Sequence, residues 1–435
     1  MTSTAVILAA GLGTRMKSAL PKTLHPIAGR PMLLHLLDSA ARVFDRIVVV
    51  IGPEMDQVAA ACAPHEVVIQ HERHGTAHAA LQAEALFGDG EVAVLYADNP
   101  LISSETLHRL LARRTQGDCG LALLAMRPDT ANRYGRVLTK AGFVTRIVEW
   151  ADATEAERQE PLCNAGVLSA GAADMRAWLS SVRNDNSKSE FYLTDVVDIA
   201  RAAGRNVAAV EAPFAELRGV NSRSELADAE ASVQRALRLA AMEAGVTLTA
   251  PDTVFFTFDT QLAADVTVGP NVVFGPGVVV ETGAQIRAFS HLEGCHVGPG
   301  AIIGPYARLR PGTRIGVGAH VGNFVELKAT DLGDGAKANH LSYLGDARIG
   351  AGANIGAGTI TCNYDGFAKH KTEIGEKAFI GTASVLVAPV SVGDGAFIAA
   401  GSVITQSVAP DAMAFGRARQ VALPGRAARF RDSKK

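Results

Sequence analysis

From Val268 to Ile404 one aliphatic column repeats every six residues, and that period leaves few folds open. It runs Val268, Phe274, Val280, Ile286, Leu292, then Val297, Ile303, Leu309, Ile315, Val321, Leu327. After one-residue slips it continues as Leu332, Ala338, Leu344, then Ile349, Ile355, Thr361, and finally Ile374, Ile380, Leu386, Val392, Ile398, Ile404. Six matches neither the helical period of 3.6 nor the strand period of 2, but it matches a parallel β-solenoid with three flat sides, one hexad to a side. The aliphatic residues should point inward, and the Gly that usually follows each lets the chain turn corners. From Thr361 to Ile374 the step is 13 residues, so seven residues within NYDGFAKHKTE should leave the coil as a loop.

The repeat accounts for an uneven glycine distribution: of 43 in the 435-residue chain, 15 lie in residues 1–244 and 28 in residues 245–435. The front half obeys other rules. Apolar runs at 5–10, 46–52, 66–70, 91–98, 120–126, 166–170 and 206–212 read as strands, and segments such as 31–44 and 104–115 read as helices between them. This alternation predicts a mostly parallel sheet covered by helices, with ligands at the carboxyl ends of its strands. A run without Gly or Pro, closed by Gly245, predicts a connecting helix over 223–244 and so divides the chain into 1–222, 223–244 and 245–435.

Composition excludes several classes. No charge-free stretch reaches the roughly 18 apolar residues of a membrane helix, so no membrane insertion is expected. The start MTSTAVILAAGLG has no basic n-region, which predicts a cytoplasmic protein. Cys62, Cys119, Cys163, Cys295 and Cys362 are odd in number and form no C-x-x-C pair, so reduced, mostly packed thiols are expected. A net charge of −2 provides no field for nucleic acid, so local clusters must hold any anionic substrate.

Two places look chemical. The first strand feeds into Gly11-Leu12-Gly13-Thr14-Arg15, followed by Pro21-Lys22. The glycines let backbone N–H groups face an anion, and Arg15 and Lys22 can neutralise a polyphosphate. The loop is neither G-x-G-x-x-G nor a P-loop. Asp98, ending a strand, fits a Mg²⁺ ligand and equally a helix cap before Pro100. In the solenoid, Arg310 and Lys328 replace the expected Gly and lie 18 residues apart, which stacks them one coil apart as a phosphate site or as two splayed surface cations. His340, off the column, fits a general base or an ordinary surface histidine. The trio His71, His74 and His78 is broken by Gly75-Thr76 and lacks a fourth ligand, which argues against zinc. The basic tail 426–435 reads as a solvated, frayed terminus.

The motifs LAAGLGTR and PK, then YAD, YGR, IVEW, NAGV and GVNSR, resemble those of sugar-1-phosphate nucleotidylyltransferases. With RLRPG, HVGNFVELK, NHLSYLGDA and NIGAGTITCNYDG, the chain from Ala5 to about Arg417 resembles a bacterial bifunctional family. Its members combine N-acetylglucosamine-1-phosphate uridylyltransferase and glucosamine-1-phosphate N-acetyltransferase. The resemblance implies a Rossmann-like nucleotidyltransferase domain, a linker helix and a left-handed parallel β-helix of hexapeptide repeats. It implies acetylation of glucosamine-1-phosphate by acetyl-CoA, then uridylyl transfer from UTP with release of pyrophosphate, supplying UDP-N-acetylglucosamine for the bacterial envelope. It implies nucleotide contacts at Leu8, Ala9, Ala10, Gly11, Arg15, Lys22, Gln70, Gly75 and Thr76, with Arg15 and Lys22 serving uridylyl transfer. Asp98 and Asn221 would hold Mg²⁺, and Tyr96, Gly135, Glu149 and Asn164 would surround the sugar. In the second site Arg310 and Lys328 would hold the sugar phosphate, His340 would be the base, and Tyr343 and Asn354 would orient the sugar. Ala357, Asn363, Tyr364, Thr382, Ala400 and Arg417 would line the acetyl-CoA side, with Asn363 a candidate donor to the oxyanion. A homotrimer with the acetyl site between subunits is expected.

Three positions depart from the family pattern: Ala97 and Thr382 stand where Gly and Ser are usual, and Arg73 stands where a second Gln is usual. Two other readings remain open here, a monofunctional nucleotidylyltransferase with an oligomerising solenoid and a sugar-nucleotide-binding regulator.

Overall fold

The apolar runs of the front half assemble into one nine-stranded sheet. A computed structural model describes residues 2–129, 131–186 and 189–434. Its strands are β1 (Thr4–Leu8), β2 (Arg46–Ile51), β3 (Glu66–Ile69), β4 (Glu91–Tyr96), β5 (Leu121–Met126), β6 (Arg136–Lys140), β7 (Phe143–Val148), β8 (Cys163–Gly171) and β9 (Val207–Glu211). The order is β9-β5-β8-β4-β1-β2-β3, with the β6–β7 hairpin joined to β8. Every residue of β1 and β5 is buried, as the continuous apolar runs require of strands covered on both faces. Alternation sends Val6, Val48 and Val94 into one core and Ile7, Val49 and Leu95 into the other.

The sheet is mixed rather than all parallel. β8, expected as a strand at 166–170, runs antiparallel to both β4 and β5. It does so because the β6–β7 hairpin intervenes where a parallel crossover would need a helix. That hairpin escaped the sequence reading: its register shifts between Leu138 and Thr139, which breaks the alternation that marks a strand pair. The helix Ser104–Arg114 begins where sequence places it, because the Ser103 hydroxyl accepts from the Thr106 N–H at 3.1 Å.

The chain divides into two compact units, Met1–Val233 and Gln234–Lys435, so the boundary falls inside the helix Arg223–Glu243. In the second unit, Gln234 donates from Nε2 to the Phe256 carbonyl at 2.6 Å and accepts from the Phe256 N–H at 2.9 Å.

The second unit is a left-handed parallel β-helix of three sheets with ten, eight and eight short strands. Each residue of the aliphatic column is buried, and burying such a side chain contributes about 1.5–3 kcal/mol. The coil starts earlier than the glycine pattern shows, at Leu248 and Phe256, because the turn Pro251–Thr253 lengthens one step to eight residues. A second inward column stands two residues before the first and is made mostly of small residues such as Ala301, Ala319, Ala336, Ser384 and Ser402, all buried. Two of its hydroxyls are satisfied locally: Ser384 donates to the Gly381 carbonyl and Ser402 to that of Ala399, both at 2.6 Å. On one face the glycines are obligatory, since a Cβ at Gly350 would collide with the backbone of Glu376 in the next coil. The extra residues after Cys362 form a loop closed by a bridge between Tyr364 and Lys369.

The five cysteines are free, four of them buried. Among the described residues no helix is long and apolar enough to cross a membrane. The basic tail is exposed as expected but not frayed: Arg426–Asp432 is helical.

Candidate active sites

Leu8 of β1 pairs with Val50 of β2 and Tyr96 of β4, and Ile51 of β2 pairs with Ile69 of β3, so the carboxyl ends of four strands share one edge. That edge brings Ala9–Gly11, Gln70 and Ala97–Asp98 together although they are far apart in sequence. With Lys22, Arg73, Gly75 and Thr76 they line a cavity of about 330 Å³. Gly13 has φ 61°, and a Cβ there would strike the Lys22 side chain, so this glycine permits the loop to fold against the lysine. Gly75, at φ 120°, lies against the Phe191 backbone, and the Thr76 hydroxyl accepts from the Leu193 N–H at 2.9 Å.

The Lys22 ammonium contacts Asp98 Oδ2 at 2.6 Å and Asn221 Oδ1 at 3.1 Å. Two oxygens from distant segments thus converge on one cation, the hard-donor chemistry that Mg²⁺ takes. A second cavity of about 290 Å³ shares Tyr96 and Asp98 with the first and is lined by Gly135, Glu149, Asn164, Thr194 and Asn221. Asn164 donates its N–H to the Gly135 carbonyl at 2.8 Å, and the Thr194 hydroxyl donates to Glu149 Oε1 at 3.4 Å. Burial pushes the Tyr96 phenol up and keeps it protonated. Arg15 lines neither of these cavities; it is exposed along a groove with Arg133, Arg218 and Asn221.

His71, His74 and His78 form no ligand set: His74 pairs with Glu72 at 2.7 Å, and His78 Nδ1 faces the Gln70 amide at 3.1 Å. Among the described residues no group of three or more His, Cys, Asp or Glu converges on a metal position.

In the second unit Leu309 pairs with Leu327 on neighbouring coils, which stacks Arg310 over Lys328. Each cation meets a carboxylate: Arg310 Nη1 contacts Glu326 Oε1 at 3.0 Å and Lys328 Nζ contacts Asp346 Oδ2 at 3.4 Å. Asp346 also accepts from Asn363 Nδ2 at 2.5 Å, so the candidate oxyanion donor is engaged there. Tyr343 and Asn363 both lie over Gly345, where a Cβ would strike their polar ends.

One corner of the coil carries a line of expected residues. Asn323 pairs with His340 in register, and backbone bonds step onward from Leu341 to Asn323, Gly358 to His340, Ala383 to Ala357 and Gly401 to Thr382. His340, Ala357, Thr382 and Ala400 therefore stack one per coil, spanning roughly 14 Å at the strand spacing. Arg417 extends the line beside Gly401. Asn354 sits on the sheet that leads into this corner, half-buried, and Tyr364 is exposed at the start of the loop. Before His340 the corner is bulky: Phe289, Tyr306 and Phe324 stack with ring centroids 4.9 and 5.1 Å apart, each about half exposed. After it the corner is smooth, with Gly358, Ala383 and Gly401.

Residues 5–178 match the MobA-like NTP transferase domain, and residues 371–406 match the bacterial transferase hexapeptide family (six repeats). The chain is 67% identical to the bifunctional protein GlmU of Gluconacetobacter diazotrophicus, over 98% of this chain and 93% of that one. It is 66% identical to that of Acidiphilium cryptum, over 100% of this chain and 99% of the relative. It belongs to the GlmU family. It is accordingly a bifunctional uridylyltransferase and acetyltransferase acting on small-molecule substrates.

Two residues beside these candidate sites were missed in the sequence. Lys369, on the inserted loop, reaches Lys328, whose contact and charge hold the Lys369 ammonium below its ordinary pKa. The loop length signalled an excursion but not where it lands. Asn323 faces His340, its Oδ1 lying 2.7 Å from Nδ1. The signal was available: the two lie 17 residues apart, one coil after a one-residue slip.

Proposed function

We propose that the paired cavities of the N-terminal unit catalyse uridylyl transfer and that the corner of the β-helix catalyses acetyl transfer, with the residue roles implied by the family pattern. The observation that carries the second assignment is the line from Asn323 to Ala400 beside the stacked cations Arg310 and Lys328.

In the front site the nucleotide occupies the cavity of Ala9–Gly11, Gln70, Gly75 and Thr76, and the sugar occupies that of Gly135, Glu149 and Asn164. The cavities meet at Tyr96 and Asp98, so the sugar-phosphate oxygen faces the α-phosphorus of UTP across them. Lys22 and Arg15 neutralise the charge that moves onto pyrophosphate, and positioning carries the rest of the rate. Asp98 and Asn221 would hold Mg²⁺, which supplies charge neutralisation at the phosphates when bound.

In the back site Arg310, Lys328 and Lys369 hold the sugar phosphate, Arg310 releasing Glu326 and Lys328 releasing Asp346 as they do so. With Nδ1 held by the Asn323 carbonyl oxygen, the Nε2 lone pair of His340 is left to act. The substrate amine attacks the thioester carbonyl, its proton passes to Nε2, and the thiolate of coenzyme A leaves and is protonated. The smooth corner at Ala357, Thr382 and Ala400 receives the acetyl-CoA arm. Exposed stacked rings on a hexapeptide coil support a homotrimer, and the nucleotide and acetyl-CoA substrates suit a cytoplasmic enzyme.

His340→Ala should abolish thiol release from acetyl-CoA with glucosamine-1-phosphate. It should spare pyrophosphate release from UTP with N-acetylglucosamine-1-phosphate. Loss of both activities in a folded variant would overturn the two-site assignment.

A further inference from the structure

Arg73 stands where the family pattern has a neutral amide, and its surroundings give it a defined task. Its Nε donates to the Ala10 carbonyl at 2.8 Å, at the entry to the glycine loop. Its guanidinium lies over Gly52 at the carboxyl end of β2, where any Cβ would collide with Nη2. The planar fork is therefore fixed in orientation by one bond and one bare backbone position, and it rims the nucleotide cavity. Gln70 lines the same cavity. Its Nε2 donates to the Gly75 carbonyl at 3.1 Å, and among the described residues nothing donates to its Oε1. The two side chains together present one acceptor and a set of donors.

We propose that Arg73 is a specificity-determining residue of the uridylyl site, its Nη groups donating to the O4 oxygen of the base beside the N3–H accepted by Gln70. This rests on the nucleotide placement given above. Uracil offers that donor next to acceptor oxygens. Cytosine replaces O4 by an amino donor and N3–H by an acceptor, so both contacts become unfavourable. An arginine cannot switch roles as an amide can, because it has donors only. The pairing therefore rejects CTP more strictly than a neutral amide would, while TTP, which keeps the uracil edge, is not rejected by Arg73.

Pyrophosphate release with N-acetylglucosamine-1-phosphate, measured with UTP, TTP and CTP in the full chain, tests the assignment. Arg73→Ala should lower the ratio of kcat/KM for UTP over CTP by roughly ten- to a hundred-fold, acting mainly through the KM for UTP. Arg73→Gln should fall between, and TTP should lose as much as UTP. An unchanged denaturant unfolding midpoint of the N-terminal unit checks that each variant is folded. If UTP and CTP decline by the same factor, Arg73 only anchors the Ala10 loop and the inference is overturned, as it is if neither changes. The Lys22→Ala arm separates the underlying placement: pyrophosphate release persisting in that variant would remove the nucleotide from this cavity, whatever Arg73 does.

Discussion

At Asp195 a carboxyl is held near Glu149 by the backbone that pins Thr76, and burial, then Asp198 and Glu149, push it up to about 6. A carboxyl raised in the folded state contributes stability that is complete below about pH 4 and is lost as pH rises through 6. Asp195→Asn should therefore raise the unfolding free energy of the N-terminal unit at pH 7.5 by roughly 1–2 kcal/mol, discounted for its partial exposure, with no gain at pH 4. Denaturant titration at the two pH values checks this. Gly350 gives the opposite case. Gly350→Ala forces a Cβ into the Glu376 backbone and should cost on the order of 2–4 kcal/mol in chemical denaturation of the β-helix. What could be read from sequence at this scale followed residue type. Lys22, Asp98 and Arg310 sit at positions where a charge is conspicuous. Lys369 and Asn323 do not, because their meaning depends on which coil their neighbours occupy.

Among the elements, the aliphatic column was legible and its small partner column was not. Only large apolar side chains stand out against background composition, whereas Ala and Ser are common everywhere. The β6–β7 hairpin was hidden by its bulge, and the reversed direction of β8 by the fact that periodicity carries no polarity. The corner line was implied by the family pattern; the coil shows its cause, since residues one coil apart are in register however far they lie along the chain. This makes the corner an additive track. Ala400→Trp should raise the KM for acetyl-CoA at least tenfold and leave that for glucosamine-1-phosphate unchanged. Lys369→Ala should do the reverse, raising the KM for glucosamine-1-phosphate by roughly tenfold through the loss of one phosphate contact. Thiol-release kinetics with each substrate varied in turn distinguish the two.

For the whole chain, the stacked rings Phe289, Tyr306 and Phe324 form an exposed apolar ridge beside the proposed acetyl site. Tyr306→Asp combined with Phe324→Asp should shift the mass measured by light scattering from three chains to one. Thiol release should fall with it and pyrophosphate release should persist. A variant that stays trimeric would exclude the ridge from the subunit interface. The strand bearing His340 is the sixth of ten in its sheet, with neighbours stacked on both sides. In a quasi-one-dimensional stack the ends open first, and each inner coil opens only after those outside it. Amide exchange along the β-helix should accordingly be fastest near Thr247 and Met413 and slowest around Asn323–Ile355. Fraying at either end then leaves the proposed base in place, where local opening is least able to reach it, while the C-terminal end exposes only the far end of the proposed acetyl-CoA track at Ala400 and Arg417.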